Sequence, residues 1–136
     1  MDFLTSMKLA ASGLRAQSGR MRIIAENIAN ADSTGTTKGA DPYRRKMPSF
    51  QATLDRATGA SVVEMGPVRT DRSDFKSRFE PGHPAADADG YVKLPNVNTL
   101  IETVDMRQAQ RSYEANLNVI QSTRTMMQRT LDILRG

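Results

Sequence analysis

The 136-residue chain has no cysteine, no tryptophan, one histidine and only 5% aromatic residues. Without cysteine there is no disulfide, no thiolate metal site and no cysteine nucleophile. The lone histidine, His83, lies in a loop sequence, "EPGHPAADADG", where an exposed or hydrogen-bonded ring is the ordinary case. Neither a Gly-rich phosphate loop nor G-x-S-x-G occurs. The chain reads as a non-enzyme with no catalytic residue and no cofactor. The "DADG" at 87–90 fails as a calcium loop. With Gly90 at the sixth position, the twelfth falls on Asn96, where a carboxylate is needed. A turn is the better reading, and no metal is expected.

Long apolar runs are missing too. No stretch approaches the roughly 20 apolar residues of a membrane span, so no direct membrane insertion is expected. The N-terminus does not read as a secretory signal. Asp2 stands where a basic region belongs, and Lys8 and Arg15 interrupt any apolar core. A protein of this kind would leave the cytoplasm without a cleaved signal peptide. Hydrophobic residues are 38% of the chain, thin for a self-sufficient core, while 25% charged residues and a net charge of +4 do not suggest disorder. An elongated protein that buries apolar surface against neighbours fits both facts.

What is present is helical periodicity at both ends. Leu4, Met7, Ala11, Leu14, Ser18, Met21, Ala25 and Ile28 recur at alternating steps of three and four, a heptad stripe. Tyr113, Leu117, Ile120, Arg124, Met127, Leu131 and Leu134 repeat the pattern at the other end. Gly13 and Gly19, with Ala10, Ala11 and Ala16, give the first helix a small-residue surface for close helix–helix approach. Pro95 and Asn96 break the preceding strand, and Thr99 with Glu102 is placed for a capping box at the second helix. Between the ends lie all six prolines and six of the nine glycines, with short alternating pieces at 61–65, 75–79 and 91–94. One short helix candidate, "SFQATLDRATG", occupies 49–59.

The expected fold class is mainly α. Long N- and C-terminal helices form a coiled-coil-like pair, with a small β-rich or extended insert between them. The segments are 1–30 (first helix), 31–95 (loop and insert) and 96–136 (second helix). Two helices cannot cover apolar faces this wide. The stripe residues Leu4, Met7, Ala11, Leu14, Met21, Ile28, Tyr113, Leu117, Ile120, Met127 and Leu131 are therefore expected to meet partners, unless a third helix from the insert covers them.

The end of the first helix carries a motif. "ENIANADSTG" resembles the N-x-x-N-x-x-T/S-x-G signature of the bacterial flagellar rod and hook proteins, matching at Asn27, Ile28, Ala29, Asn30 and Gly35, with Ser33 at the T/S position and Thr34 beside it. "DPYRRKMPSF", "GHPAADADGYVKLPNVN" and the last helix narrow the resemblance to that family's proximal rod subunits. The resemblance implies a structural subunit of the flagellar basal-body rod in the periplasm. It would be carried there by the flagellar type III export apparatus and would polymerise with copies of itself and other rod proteins into a helical tube. The tube passes motor torque to the hook. The terminal helices would form the inner coiled-coil layer. Asn27 and Asn30 would fix the exit of the chain from it, and Pro42, Tyr43, Arg44 and Arg45 would run along a neighbouring subunit. Two other readings stay open on the residues alone: a helical nucleic-acid-binding protein, which needs a basic face, and an amphipathic membrane anchor, for which aromatic anchors beyond Phe3 are missing.

Overall fold

The computed structural model describes residues 2–136; Met1, part of the expected 1–30 segment, lies outside them. The element order is α1 (Phe3–Ala29), β1 (Lys46–Met47), β2 (Phe50–Asp55), β3 (Ala60–Met65), β4 (Arg69–Thr70), β5 (Lys76–Phe79), β6 (Tyr91–Leu94) and α2 (Thr99–Arg135). Three antiparallel two-stranded sheets form: β1 with β4, β2 with β3, and β5 with β6. Two long helices packed together, with strands between, match the expected plan. "Mainly α" overstated it: the chain is 47% helix and 18% strand. The strands read from alternation at 61–65, 75–79 and 91–94 correspond to β3, β5 and β6. The helix candidate at 49–59 is instead strand β2 and its turn. Phe50, Ala52 and Leu54 alternate with Gln51, Thr53 and Asp55, a period of two rather than 3.6.

The chain divides into two compact units. The first comprises Met1–Met21, Ser49–Pro67 and Arg107–Gly136. Asp2 caps α1, its carboxylate accepting from the Thr5 N–H at 2.7 Å. Here α1 and α2 run antiparallel. Gly13 faces Asn116 so closely that a Cβ would lie 2.6 Å from the Asn116 amide oxygen, and Arg20 donates to Gln108 at 3.2 Å. Within the chain Gly19 lies against Met65 of β3 rather than against α2. The outer edge of β3 is covered by α1, since the Val63 N–H donates to Ser12 Oγ at 3.4 Å. At the hairpin's turn end, Lys8 meets Asp55 at 3.4 Å. A hairpin, not a third helix, therefore covers part of α1. On this unit's stretch of α1, Met7, Leu14 and Met21 lie on the side away from Gly13 and Ala16, at roughly 100° per residue.

The second unit comprises Arg22–Pro48 and Val68–Met106. Ala85, Ala86 and Val92 form one apolar cluster, and Ile23, Ile24, Ala31 and Val97 are buried as well. The start of α2 differs from the expected capping box. Asn98 is the N-cap, its Oδ1 accepting from Leu100 and Ile101 N–H at 3.1 and 3.5 Å. Glu102 is turned inward, 1% exposed. The 80–90 loop closes on itself. Asp87 Oδ1 accepts from Asp89 and Tyr91 N–H at 2.9 and 3.0 Å, so its carboxylate is spent on the turn. Gly90 sits at φ +86°, and a Cβ there would be 2.9 Å from the Phe79 ring. Gly90→Ala should lower stability by about 1–2 kcal/mol, the cost of a left-handed L-residue, read as a drop in urea midpoint at unchanged m-value.

Candidate assembly site

Asn27 lies on the last turn and a half of α1 and is completely buried. A buried carboxamide needs partners for two donors and two acceptor positions. Its Nδ2 donates to Lys46 C=O at 2.8 Å and to Glu102 Oε2 at 3.4 Å. Its Oδ1 accepts from Lys46 N–H at 2.9 Å and from the Tyr43 hydroxyl at 2.6 Å. The paired bonds to Lys46 are those a neighbouring strand would make. Strand β1 has β4 on one edge, and the Asn27 side chain stands in for a strand on the other.

Glu102 completes the arrangement from α2. Arg45 Nε donates to Glu102 Oε1, and Arg45 Nη1 reaches Asp71 at 3.4 Å. Burial works against the Arg45 charge, but the Glu102 and Asp71 carboxylates outweigh it and raise its pKa. Hydrogen bonds from Ser73 hold the Asp71 carboxyl below its usual range, with Arg45 adding to the effect. Lys46 Nζ pairs with Glu26 at 2.5 Å. Asn96 repeats the strategy of Asn27. Its Oδ1 accepts from Arg45 N–H at 2.8 Å, and its Nδ2 donates to Asp71 C=O at 3.0 Å and Ser73 C=O at 3.2 Å. Arg44 donates to the same two carbonyls at 3.0 Å and lies 4.1 Å over the Phe75 ring.

The other signature residues have lesser roles within the chain. Asn30 Nδ2 donates back to Glu26 C=O at 2.8 Å. It does not adopt the left-handed conformation; among the described residues only glycines have positive φ. The helix ends instead in three-residue steps, Ala31 N–H to Ile28 C=O and Ser33 N–H to Asn30 C=O. Thr34 Oγ1 is 3.4 Å from His83 Nε2. Because His83 Nδ1 accepts from Ala85 N–H at 3.0 Å, Nε2 carries the proton and donates to Thr34. Gly35 is needed for space, since a Cβ would lie 2.6 Å from that of Ala40.

The expected stripe residues are not gathered into a core. Leu4, Leu117 and Leu131 are exposed, and Met7, Ala11, Leu14, Met21, Ile28, Tyr113, Ile120 and Met127 are half-buried. The row that α2 buries is different: Glu102, Ala109 and Thr123, with Asn116 half-buried between the last two, at intervals of seven. It holds no large apolar residue. Glu102 and Asn96 were missed as functional positions in the sequence. The available signal was this heptad of small and polar residues, which places a carboxylate on an inward face.

A helix that ends on a structurally committed asparagine, followed by a strand-rich insert and a second long helix with large apolar residues exposed, agrees with the resemblance that the motif carries. The family model "Flagella basal body rod protein" matches residues 7–36, and "Flagellar basal body rod FlgEFG protein C-terminal" matches 88–133. The flagellar basal-body rod protein FlgC of Agrobacterium fabrum is 55% identical, over 100% of this chain and 99% of the relative. FlgC of Salmonella typhimurium is 42% identical over 98% of each chain, and that of Bacillus subtilis 35% over 98% of this chain and 99% of the relative. The chain belongs to the FlgC family of flagellar basal-body rod proteins, which are structural proteins rather than enzymes.

The geometry separates the two asparagines of the signature. Asn27→Ala should cost about 1–3 kcal/mol, because it strands buried Lys46 backbone groups and Glu102. Asn30→Ala should cost under about 1 kcal/mol, its one bond returning to its own helix. Chemical denaturation of both variants checks this; equal losses would contradict the assignment. Burial, with the Glu26 and Glu102 charges adding, pushes the Tyr43 hydroxyl up to about 12. A folded pKa above the unfolded value of 10.0 means that this contribution is complete below pH 10 and is lost as pH rises toward 12. Tyr43→Phe should flatten the stability profile across that window.

Proposed function

We propose that the protein polymerises with copies of itself and with other rod proteins into the helical tube of the basal-body rod, and that the tube carries torque from motor to hook. It works in the periplasm and reaches it through the flagellar type III export apparatus without a cleaved signal peptide. Residues 1–30 and 96–136 supply the inner coiled-coil layer, and residues 31–95 lie outside it. The observation that carries this reading is the uncovered apolar surface of the helices. Large apolar residues of α2, among them Leu100, Ile101, Val104, Val119, Met126, Leu131, Ile133 and Leu134, are exposed while its buried row is polar or small. Patches of this kind on a soluble chain mark contact surfaces. The stripes through Met7, Leu14 and Met21 and through Leu117, Ile120 and Met127 are the inter-subunit seams in this reading.

The assembly role of Pro42, Tyr43, Arg44 and Arg45 is twofold. Tyr43, Arg44 and Arg45 anchor the segment to its own chain, which sets the course along which the segment meets a neighbour. Asn27, Asn30, Thr34 and Gly35 serve the same end by fixing where the chain leaves the helical layer. Neither nucleic acid nor membrane insertion has a part in this reading; no described helix is long and apolar enough to cross a membrane. Ile120→Asp places a carboxylate on the α2 seam, at a cost of several kcal/mol once buried without a partner. The variant should be exported but absent from immunoblots of purified basal bodies, and cells carrying it should not swim. Normal incorporation would show that the stripe is not an interface.

A further inference from the structure

With one histidine and no cysteine, the chain has a single side chain, His83, whose ordinary titration falls between about pH 5 and 8. Its ring is half-buried where two loops of the second unit meet. Residues 31–45 follow α1, and residues 80–90 join β5 to β6. Two hydrogen bonds connect them through neighbouring residues. His83 Nε2–H donates to Thr34 Oγ1 at 3.4 Å, and Gly39 N–H donates to Ala85 C=O at 3.2 Å.

The first of these bonds depends on the charge state of the ring. Ala85 is 2% exposed, and its N–H donates to His83 Nδ1 at 3.0 Å. A buried N–H needs an acceptor. Only the neutral imidazole supplies one, because the imidazolium carries a proton on each nitrogen. Protonation sets one N–H against another across 3.0 Å. The backbone at His83 is held on both sides, its N–H donating to Glu80 C=O and its C=O accepting from Ala86 N–H, each at 3.0 Å. The ring must therefore rotate about its own side-chain bonds. Rotation carries Nε2–H away from Thr34, a contact already near the limit of a hydrogen bond.

The surrounding charges do not hold the imidazolium in place. On its own loop the charged side chains are Glu80, Asp87 and Asp89. Glu80 pairs with Arg78 at 3.0 Å, and the Asp87 carboxylate accepts from Asp89 and Tyr91 N–H. On the 31–45 loop they are Asp32, Lys38, Asp41, Arg44 and Arg45. Asp41 pairs with Lys93 of β6 at 3.1 Å, Arg44 donates to Asp71 and Ser73 C=O, and Arg45 pairs with Asp71 and Glu102. Lys76 of β5 donates to Val97 C=O. Among the described residues, none of these carboxylates forms an ion pair with His83.

We propose that His83 is an acid-sensitive tie between the two loops: the neutral ring holds the 31–45 loop at Thr34, and protonation releases it. The Gly39 bond does not involve the ring, so release loosens the loop beside Gly35 without detaching it. The tie is complete above the range in which imidazole titrates and is lost as pH falls through that range. It lies within one chain and does not depend on assembly.

The single histidine gives an unambiguous signal in nitrogen NMR of the full chain. At about pH 7.5 the ring should be protonated on Nε2 and bare on Nδ1. Amide exchange is then measured at about pH 7.5 and about pH 5, each relative to the unstructured rate. Protection of the Ala85 amide should fall about tenfold between the two, the equilibrium weight of one hydrogen bond to a buried donor. The Arg45 amide, which donates to the non-titrating Asn96 Oδ1 at 2.8 Å, should keep its protection. In His83→Asn the new Oδ1 takes the place of Nδ1 and does not titrate, so Ala85 protection should no longer depend on pH. A ring protonated on Nδ1 at about pH 7.5 would overturn the proposal. So would equal losses at Ala85 and Arg45, or the same pH dependence in His83→Asn. The wild-type result stands without the variant, since the ring signal and the Ala85 amide must change together; separate titrations would also overturn it.

Discussion

Burying an amide and a carboxylate side by side is the constraint on which the second unit depends. Glu102 and Asn27 are among its largest fully buried side chains, beside Val92. Each tolerates burial only because the other, Arg45 and the Lys46 backbone satisfy it. An ion pair of this kind adds little net stability over an apolar replacement, yet losing one partner leaves a buried charge and costs about 3–5 kcal/mol. What it supplies is position. Hydrophobic contacts tolerate sliding, whereas four hydrogen bonds on one carboxamide admit a single course for residues 43–46.

The same preference for polar or small groups runs along the inward row of α2. Ala109 and Thr123 are buried, and Asn116 meets a glycine. In a two-helix pair an amide on the contact row fixes register at some expense in stability. The large apolar residues of α2 are thereby left for the outside. A free globular protein would be expected to use them for its own core. Their distribution makes sense for a subunit whose stability is completed by its neighbours, and it explains why a composition with 38% hydrophobic residues still leaves so much apolar surface open.

The helices, their approximate limits and three of the six strands were legible in periodicity. Strand β2 was not, because "SFQATLDRATG" contains helix formers and its alternation is short. Tertiary pairing with "SVVEM" decides the matter. Asn27 and Asn30 stood out as a pair in the motif, but spacing could not rank them. Their difference lies in Lys46, 19 residues from Asn27 in sequence, which one amide reaches and the other does not. Glu102 was legible only as a first-turn acid. Its inward orientation depends on Arg45, 57 residues away, a contact that no local pattern encodes. No local pattern places Met65 of β3 against Gly19 within the chain.

A subunit can be definite in local shape while part of its apolar surface stays uncovered. The polar contacts around Asn27, Asn96 and Asn98 involve backbone groups of the loop strands and of the start of α2, and they are satisfied within one chain. They need no neighbour to set the local conformation. The apolar surfaces are the reverse, gaining most of their burial energy only on contact, roughly 25 cal/mol per Å² removed from water. Such a division suits a subunit of the basal-body rod, which assembles with other rod components. The hydrogen-bonded junctions set the local geometry within one chain, and the exposed apolar residues of the helices are left for contact with neighbours.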